Sequence, residues 1–173
     1  NVTREVMVIV AGLTIQDPRE RPIEKRDKAD LLHARFTDPS SDFLTLVNLW
    51  NHLEQQQGKL SSSAFRKLCK AEHLNFLRIR EWQYLVKQLK LVSKPLGLDY
   101  GPARVNPDGI HKSVLAGLLS QLGLLQDQKQ KFVNGKPVKQ KTSREYLGSN
   151  GKKFVVFPGS ALAKKPPEAL MSA

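Results

Sequence analysis

Five residues set successively three or four positions apart carry the clearest chemical signal in this sequence: Arg80, Gln83, Lys87, Lys90 and Lys94. Their offsets of i, i+3, i+7, i+10 and i+14 place them on one side of a helix, because about 3.6 residues complete each turn. Such a polar, cationic row more than three turns long can track the phosphates of a nucleic-acid strand without reading its bases. The plain alternative is a solvated helix face, since exposed faces are commonly charged. Charge distribution favours the first reading. The chain of 173 residues has a formal net charge of +12, yet residues 1–58 carry seven basic and nine acidic groups. Residues 59–94 hold nine basic against two acidic groups, and residues 127–173 hold ten against three. Positive charge gathered into two blocks is the footprint of a phosphate-backbone binder.

Other chemistries find no assembled residues. No glycine-rich phosphate loop of the G-x-x-x-x-G-K-[ST] type is present, and Gly58-Lys59 lacks the preceding glycine and loop. Histidines 33, 52, 73 and 111 are scattered, without the spacing of a metal site. Cys69 is four residues from Phe65, which suits a small buried hydrophobe better than a nucleophile, and a lone cysteine makes no intrachain disulfide. Asn48 and His52 share a helix face with no third group to complete a catalytic set. We expect no catalytic residue and no metal ligand in this segment.

The elements that must position the cationic row follow from hydrophobic periodicity. "REVMVIVAGL" after Thr3 suits either a helix or a buried strand. "QDPRERP", Gln16 to Pro22, then crowds two prolines and four charges into a connector. Pro22 opens a second helix with Ile23, Leu32 and Phe36 on its apolar side. Pro39 with Ser40 or Ser41 starts a third, on which Phe43, Leu46, Val47, Trp50 and Leu53 recur at helical spacing up to Gly58. "LSSSAFRKLCKAEHL" begins a fourth on a serine cap. The fifth, roughly Asn75 to Lys94, sets Trp82, Leu85, Val86, Leu89 and Val92 on its apolar face beside the cationic row. Arg78 points into that face, so either its head reaches an acidic partner or the helix starts after it. "IHKSVLAGLLSQLGLL" predicts a sixth helix. A lysine-rich loop follows from 127, then two strands around Ser149-Asn150-Gly151, with "KKPPEALMSA" too short to complete a sheet.

The longest apolar run, Val6 to Leu13, is far below the ~20 residues that span a bilayer, and no secretory leader is visible. We therefore expect a cytoplasmic protein without membrane association. Its start at Asn1, already inside an apolar element, reads like a piece of something longer.

"EVMVIVAGLTIQDPRERP", "FTDPSSDFLTLVNLWNHL", "FRKLCKAEHLNFLRIREWQ", "QLGLL" and "FVVFPGSALAKKPP" together resemble the C-terminal region of DEAH-box ATP-dependent RNA helicases, in their bacterial HrpA-like branch. The resemblance runs almost end to end and fails mainly over 127–143. It implies that "VMVIVAGL" is helical and that "QDPRERP" joins the first two helices of a ratchet domain. The implied fold is mainly α: a helical (ratchet) bundle of about six helices over 1–126, then a lysine-rich loop and the first strands of a truncated OB-fold over 127–173. It further implies ATP and Mg bound by upstream RecA-like motor domains, which with a winged helix would be this segment's neighbours. The implied role is to grip single-stranded RNA by its backbone while the motors translocate it, DNA or an RNA–DNA hybrid remaining open. Arg80, Lys87, Lys90 and Lys94 would contact the strand from the helical part, and Lys152, Lys153, Lys164 and Lys165 from the OB side. Ser160, in "FPGSAL", matches a segment that lies near RNA in relatives. The alternative is a helical protein-interaction module without nucleic-acid contact.

Overall fold

A computed structural model describes residues 1–126, 132–133, 136–137 and 144–172. The expected lysine-rich loop thus lies outside the described residues, apart from the pairs 132–133 and 136–137. The chain forms two compact units, Asn1–Val114 and Leu115–Ala173.

In the first unit, α1 (Thr3–Thr14), α2 (Arg26–Ala34), α3 (Asp42–Lys59), α4 (Ser62–Ala71) and α5 (Phe76–Ser93) precede α6 (Pro107–Gly117), whose last three residues belong to the second unit. The ambiguous "VMVIVAGL" is therefore helical. Serine caps open α3 and α4: Ser41 Oγ accepts from Leu44 N and Ser61 Oγ from Ala64 N, both at 3.3 Å. The core gathers Val8 and Ala11 of α1, Leu49, Trp50 and Leu53 of α3, Phe65 and Cys69 of α4, and Ile79, Trp82 and Val86 of α5. Trp82 is its centre. Its indole meets Trp50 edge-on at 5.0 Å and donates from Nε1 to the Val8 carbonyl at 2.9 Å. Gly12 allows the close approach, because a Cβ there would stand 3.1 Å from the Trp82 ring.

Three expectations need correction here. Ile23 sits in a short 3-10 turn before α2 and is 89% exposed, since α2 turns Ala29 and His33 inward instead. Val92 is 63% exposed, because α5 outruns its packing partners near its C-terminal end. The sixth helix stops at Gly117, and the apolar run beyond it turns extended.

In the second unit, β1 (Leu122–Leu125), β4 (Glu145–Gly148), β5 (Lys153–Val155) and β6 (Ala169–Met171) form an antiparallel sheet in the order β5-β4-β1-β6. The two-residue strands β2 (Phe132–Val133) and β3 (Lys136–Pro137) pair separately. "QLGLL" is a strand rather than helix because β1 pairs with both β4 and β6, and Gly123 leaves room at that crossing. It lies opposite Gly148 and Leu170, and a Cβ on it would fall 2.4 Å from Phe154 Cζ. That ring stacks on the fully buried Tyr146 at 5.7 Å, and Tyr146 Oη donates to the Pro167 carbonyl at 2.6 Å. The chain's end therefore does contribute to the sheet: "KKPPEALMSA", expected to supply too little, holds Pro167 and the edge strand β6. Ser149, Asn150 and Gly151, the last at φ +77°, make the expected β4–β5 turn.

Candidate nucleic-acid interface

The cationic row rides on α5, and α5 is held at its N-terminal end by the "QDPRERP" segment. Asn75 caps the helix, its Oδ1 accepting from Arg78 N at 3.0 Å. Its Nδ2 donates to Glu20 Oε1 at 2.7 Å, and its backbone N–H donates to the Pro18 carbonyl at 2.7 Å. Glu20 N donates to the His73 carbonyl at 2.8 Å, so the two segments run antiparallel at Arg19 and Leu74. The charges crowded into "QDPRERP" are each engaged. Asp17 and Arg19 form a bidentate pair, and Arg21 pairs with Asp30 of α2. The Arg19 guanidinium holds the Asp17 carboxyl below the ordinary range despite burial, which acts the other way. Arg78 takes a third course besides the two expected. It lies within α5, and Nη1 reaches a carbonyl, that of Asp17, rather than a carboxylate.

The helix end is as well defined as its start. Pro95 lies in a 3-10 turn and Gly97 follows at φ +71°, a left-handed position that glycine adopts without steric cost. Between these ends, Ile79, Trp82 and Val86 are buried, and Arg80, Lys87, Lys90 and Lys94 are exposed. Arg80, Lys87 and Lys94 make no ion pair among the described residues. Lys90 differs: its Nζ stands 4.2 Å from the Tyr100 ring centroid, a cation–π contact. Gln83 donates from Nε2 to Gln57 Oε1 at 2.6 Å, which fixes it to α3. The free cations are thus a row of three, seven residues apart.

In the second unit, Lys152, Lys153, Lys164 and Lys165 are exposed. Lys153 Nζ lies 3.5 Å from Glu145 Oε2, a weak surface pair. Ser160 is half-buried, and its Oγ accepts from Leu162 N at 3.1 Å, capping the turn Ala161–Ala163.

Cys69, Asn48 and His52 are each engaged within the fold. Cys69 is fully buried, and desolvation, with Glu72 nearby, pushes its thiol up to about 11. Asn48 Nδ2 donates to the Phe36 carbonyl, while His52 and Arg35 both reach the carboxylate of Glu72. Among the described residues no cluster of three or more potential metal ligands occurs, and no helix is long and apolar enough to cross a membrane. One row escaped the sequence reading: Leu77, Tyr84 and Leu91, exposed beside the cations. Its signal was an apolar repeat of seven lying outside the core face.

No family model matches the chain. It is 46% identical over 170 residues to "ATP-dependent RNA helicase HrpA" of Escherichia coli K12, covering 98% of this chain and 12% of that protein. It is 41% identical over 169 residues to the HrpA homologue of Haemophilus influenzae, again 98% of this chain and 12% of the relative. A shorter stretch of 48 residues, 28% of the chain, is 40% identical to the fission-yeast pre-mRNA-splicing factor ATP-dependent RNA helicase prp22, covering 4% of that protein. The chain thus spans about an eighth of the length of the first two.

Proposed function

We propose that this chain, homologous over nearly its whole length to a segment of the bacterial HrpA-type DEAH-box RNA helicases, grips single-stranded RNA by its backbone. On this reading residues 1–126 act as the helicase-associated ratchet domain and 127–173 open an OB-fold. ATP and Mg would be bound by motor domains outside these residues, in the cytoplasm, and their movement would drive the strand across this surface. The segment supplies contact, and no step of hydrolysis is assigned to it.

One observation carries the reading. Arg80, Lys87 and Lys94 stand exposed and without acidic partners along a helix whose two ends and inner face are fixed. Over 14 residues at about 1.5 Å each, the row spans roughly 21 Å. A cationic row of that length on a rigid support meets a phosphate chain with little ordering cost. Lys90 would add to it by leaving Tyr100. Lys152, Lys153, Lys164 and Lys165, with Ser160 as a hydroxyl donor, would add phosphate contacts from the second unit.

A protein-docking module is the second reading. The apolar groove of Val2, Val6, Met7, Val10, Leu89 and Leu98 in the first unit favours it. Charge reversal separates the two. Arg80→Glu with Lys87→Glu should abolish binding of a fluorescent single-stranded RNA to the 173-residue chain while leaving the fold intact by circular dichroism. Undiminished RNA affinity in that double variant would leave the docking reading standing.

A further inference from the structure

Leu77, Tyr84 and Leu91 are 74%, 61% and 58% exposed. They recur every seven residues, so they form a line along α5 that drifts only about 20° per step. Three large apolar side chains in register on an exposed helix face are not explained by the core, which lies on the opposite side with Ile79, Trp82 and Val86.

The charges beside this line are asymmetric. Tyr84 has Arg80 four residues before it and Lys87 three residues after it, both on one flank and exposed. On its other flank stand Glu81 and Gln88, at the complementary offsets of three before and four after. Positions three and four apart on a helix are surface neighbours, with Cβ atoms about 5–6 Å apart. The Tyr84 ring has no ring-stacking or cation–π contact among the described residues. It is a free aromatic face with cations on one side and a carboxylate on the other.

The geometry points to Tyr84 as a base-stacking platform for single-stranded nucleic acid, with Leu77 and Leu91 as apolar contacts for the bases before and after. This inference rests on the backbone-gripping reading above and adds to it where the bases go. A strand laid along α5 presents phosphates to Arg80, Lys87 and Lys94, and its bases then fall on the adjacent apolar line. The reverse placement would bring phosphates against Glu81, so charge fixes which edge of the strand faces which row. Stacking on an aromatic side chain tolerates any base, since every base has a π-face. The bare cation row would hold a strand by charge alone; the apolar line makes the grip depend on unstacked bases as well.

The test is a titration of the 173-residue chain with a fluorescent single-stranded RNA and with an abasic oligonucleotide of equal length. Tyr84→Ala should weaken RNA binding about 5- to 140-fold at fixed salt, the range expected for one lost stack. The salt slope should not change, because no phosphate contact is removed. Tyr84→Phe should restore affinity. The abasic strand should bind the parent chain weakly and be indifferent to Tyr84→Ala. If Tyr84→Ala binds RNA as the parent does, the platform is refuted while the backbone grip stands. If the parent chain binds no nucleic acid even at low salt, both fail.

Discussion

The guanidinium of Arg78 donates a hydrogen bond to the backbone carbonyl of Asp17 at 2.9 Å, joining residues 61 positions apart. That bond, with those of Asn75 to Pro18 and Glu20, ties the start of α5 to the "QDPRERP" segment. A helix fixed in this way can present a charged row without bending away from its load. The backbone carbonyls of Asp17 and Pro18 and the carboxylate of Glu20 are therefore the means by which the cationic helix is anchored, while Asp17, Arg19 and Arg21 pair among themselves and with Asp30.

Asn75 should be the most sensitive polar residue of that anchor. Asn75→Ala removes both a helix cap and the donor to Glu20, and should cost about 1–3 kcal/mol. Asn75→Asp keeps the cap but sets a carboxylate against Glu20. Urea unfolding should show Asn75→Asp recovering stability when combined with Glu20→Gln, by more than the sum of the separate effects.

His73 occupies the left-handed position, φ +53°, after α4. Leu74 N donates to the Cys69 carbonyl at 2.8 Å and His73 N to the Lys70 carbonyl at 3.3 Å, the pairing of a Schellman terminus. A residue with a Cβ is strained there by about 1–2 kcal/mol. His73→Gly, which retains both bonds, should raise stability by up to about 1 kcal/mol after the entropy that glycine gains when unfolded. Its thermal midpoint, compared with the parent's, checks this.

His33 should give the fold a pH dependence near neutrality. Burial is the main cause that lowers its pKa below the ordinary 6.5, outweighing the bond it donates from Nε2 to the Glu72 carbonyl at 2.9 Å. The unfolded chain then binds a proton more readily than the folded one. Stability from this group is present above about pH 6.5 and is lost as pH falls through the depressed folded value. Asp17 and Asp38, also depressed, act only below their ordinary 3.8. Urea midpoints between pH 7.5 and 5 should fall in the parent chain and flatten in His33→Gln.

Gly123 and Phe154 should behave as one packing unit in the second sheet. Gly123→Ala forces its new Cβ against a ring 2.4 Å away and should cost about 1–3 kcal/mol. Phe154→Leu removes the obstructing ring edge at the expense of its stack on Tyr146. The double variant should lose less than the two single losses combined, as a thermodynamic cycle would record.

Much of this structure was legible in the sequence because it depends on local rules. Ser41, Ser61 and Asn75 cap helices as their residue types predict, and Trp82, Val86 and Phe65 fall inward at the expected period. What stayed hidden depends on distant partners. Arg4 and Glu5 are buried in α1, where an apolar helix gives no hint of them, because Asn51 and Glu54 of α3 reach Arg4 and the backbone of Arg104 reaches Glu5. Leu122–Leu125 reads as helix by composition, and its strand depends on distant pairing with β4 and β6, with Gly123 leaving room for the Phe154 ring. In the candidate interface the cation row was readable from spacing. That Lys90 leans on Tyr100, and that Tyr84 is left bare, was not.

The most direct measurement is the affinity of the chain for a short single-stranded RNA across a salt series, with and without Arg80→Gln and Lys87→Gln. If the row on α5 holds the strand, the logarithm of affinity should fall with the logarithm of salt with a slope of at least about 2, given ~0.7 for each of three phosphate contacts. Removing two of those contacts should lower the slope by about 1.4. An RNA affinity and slope identical in parent and variant would contradict a strand running along α5.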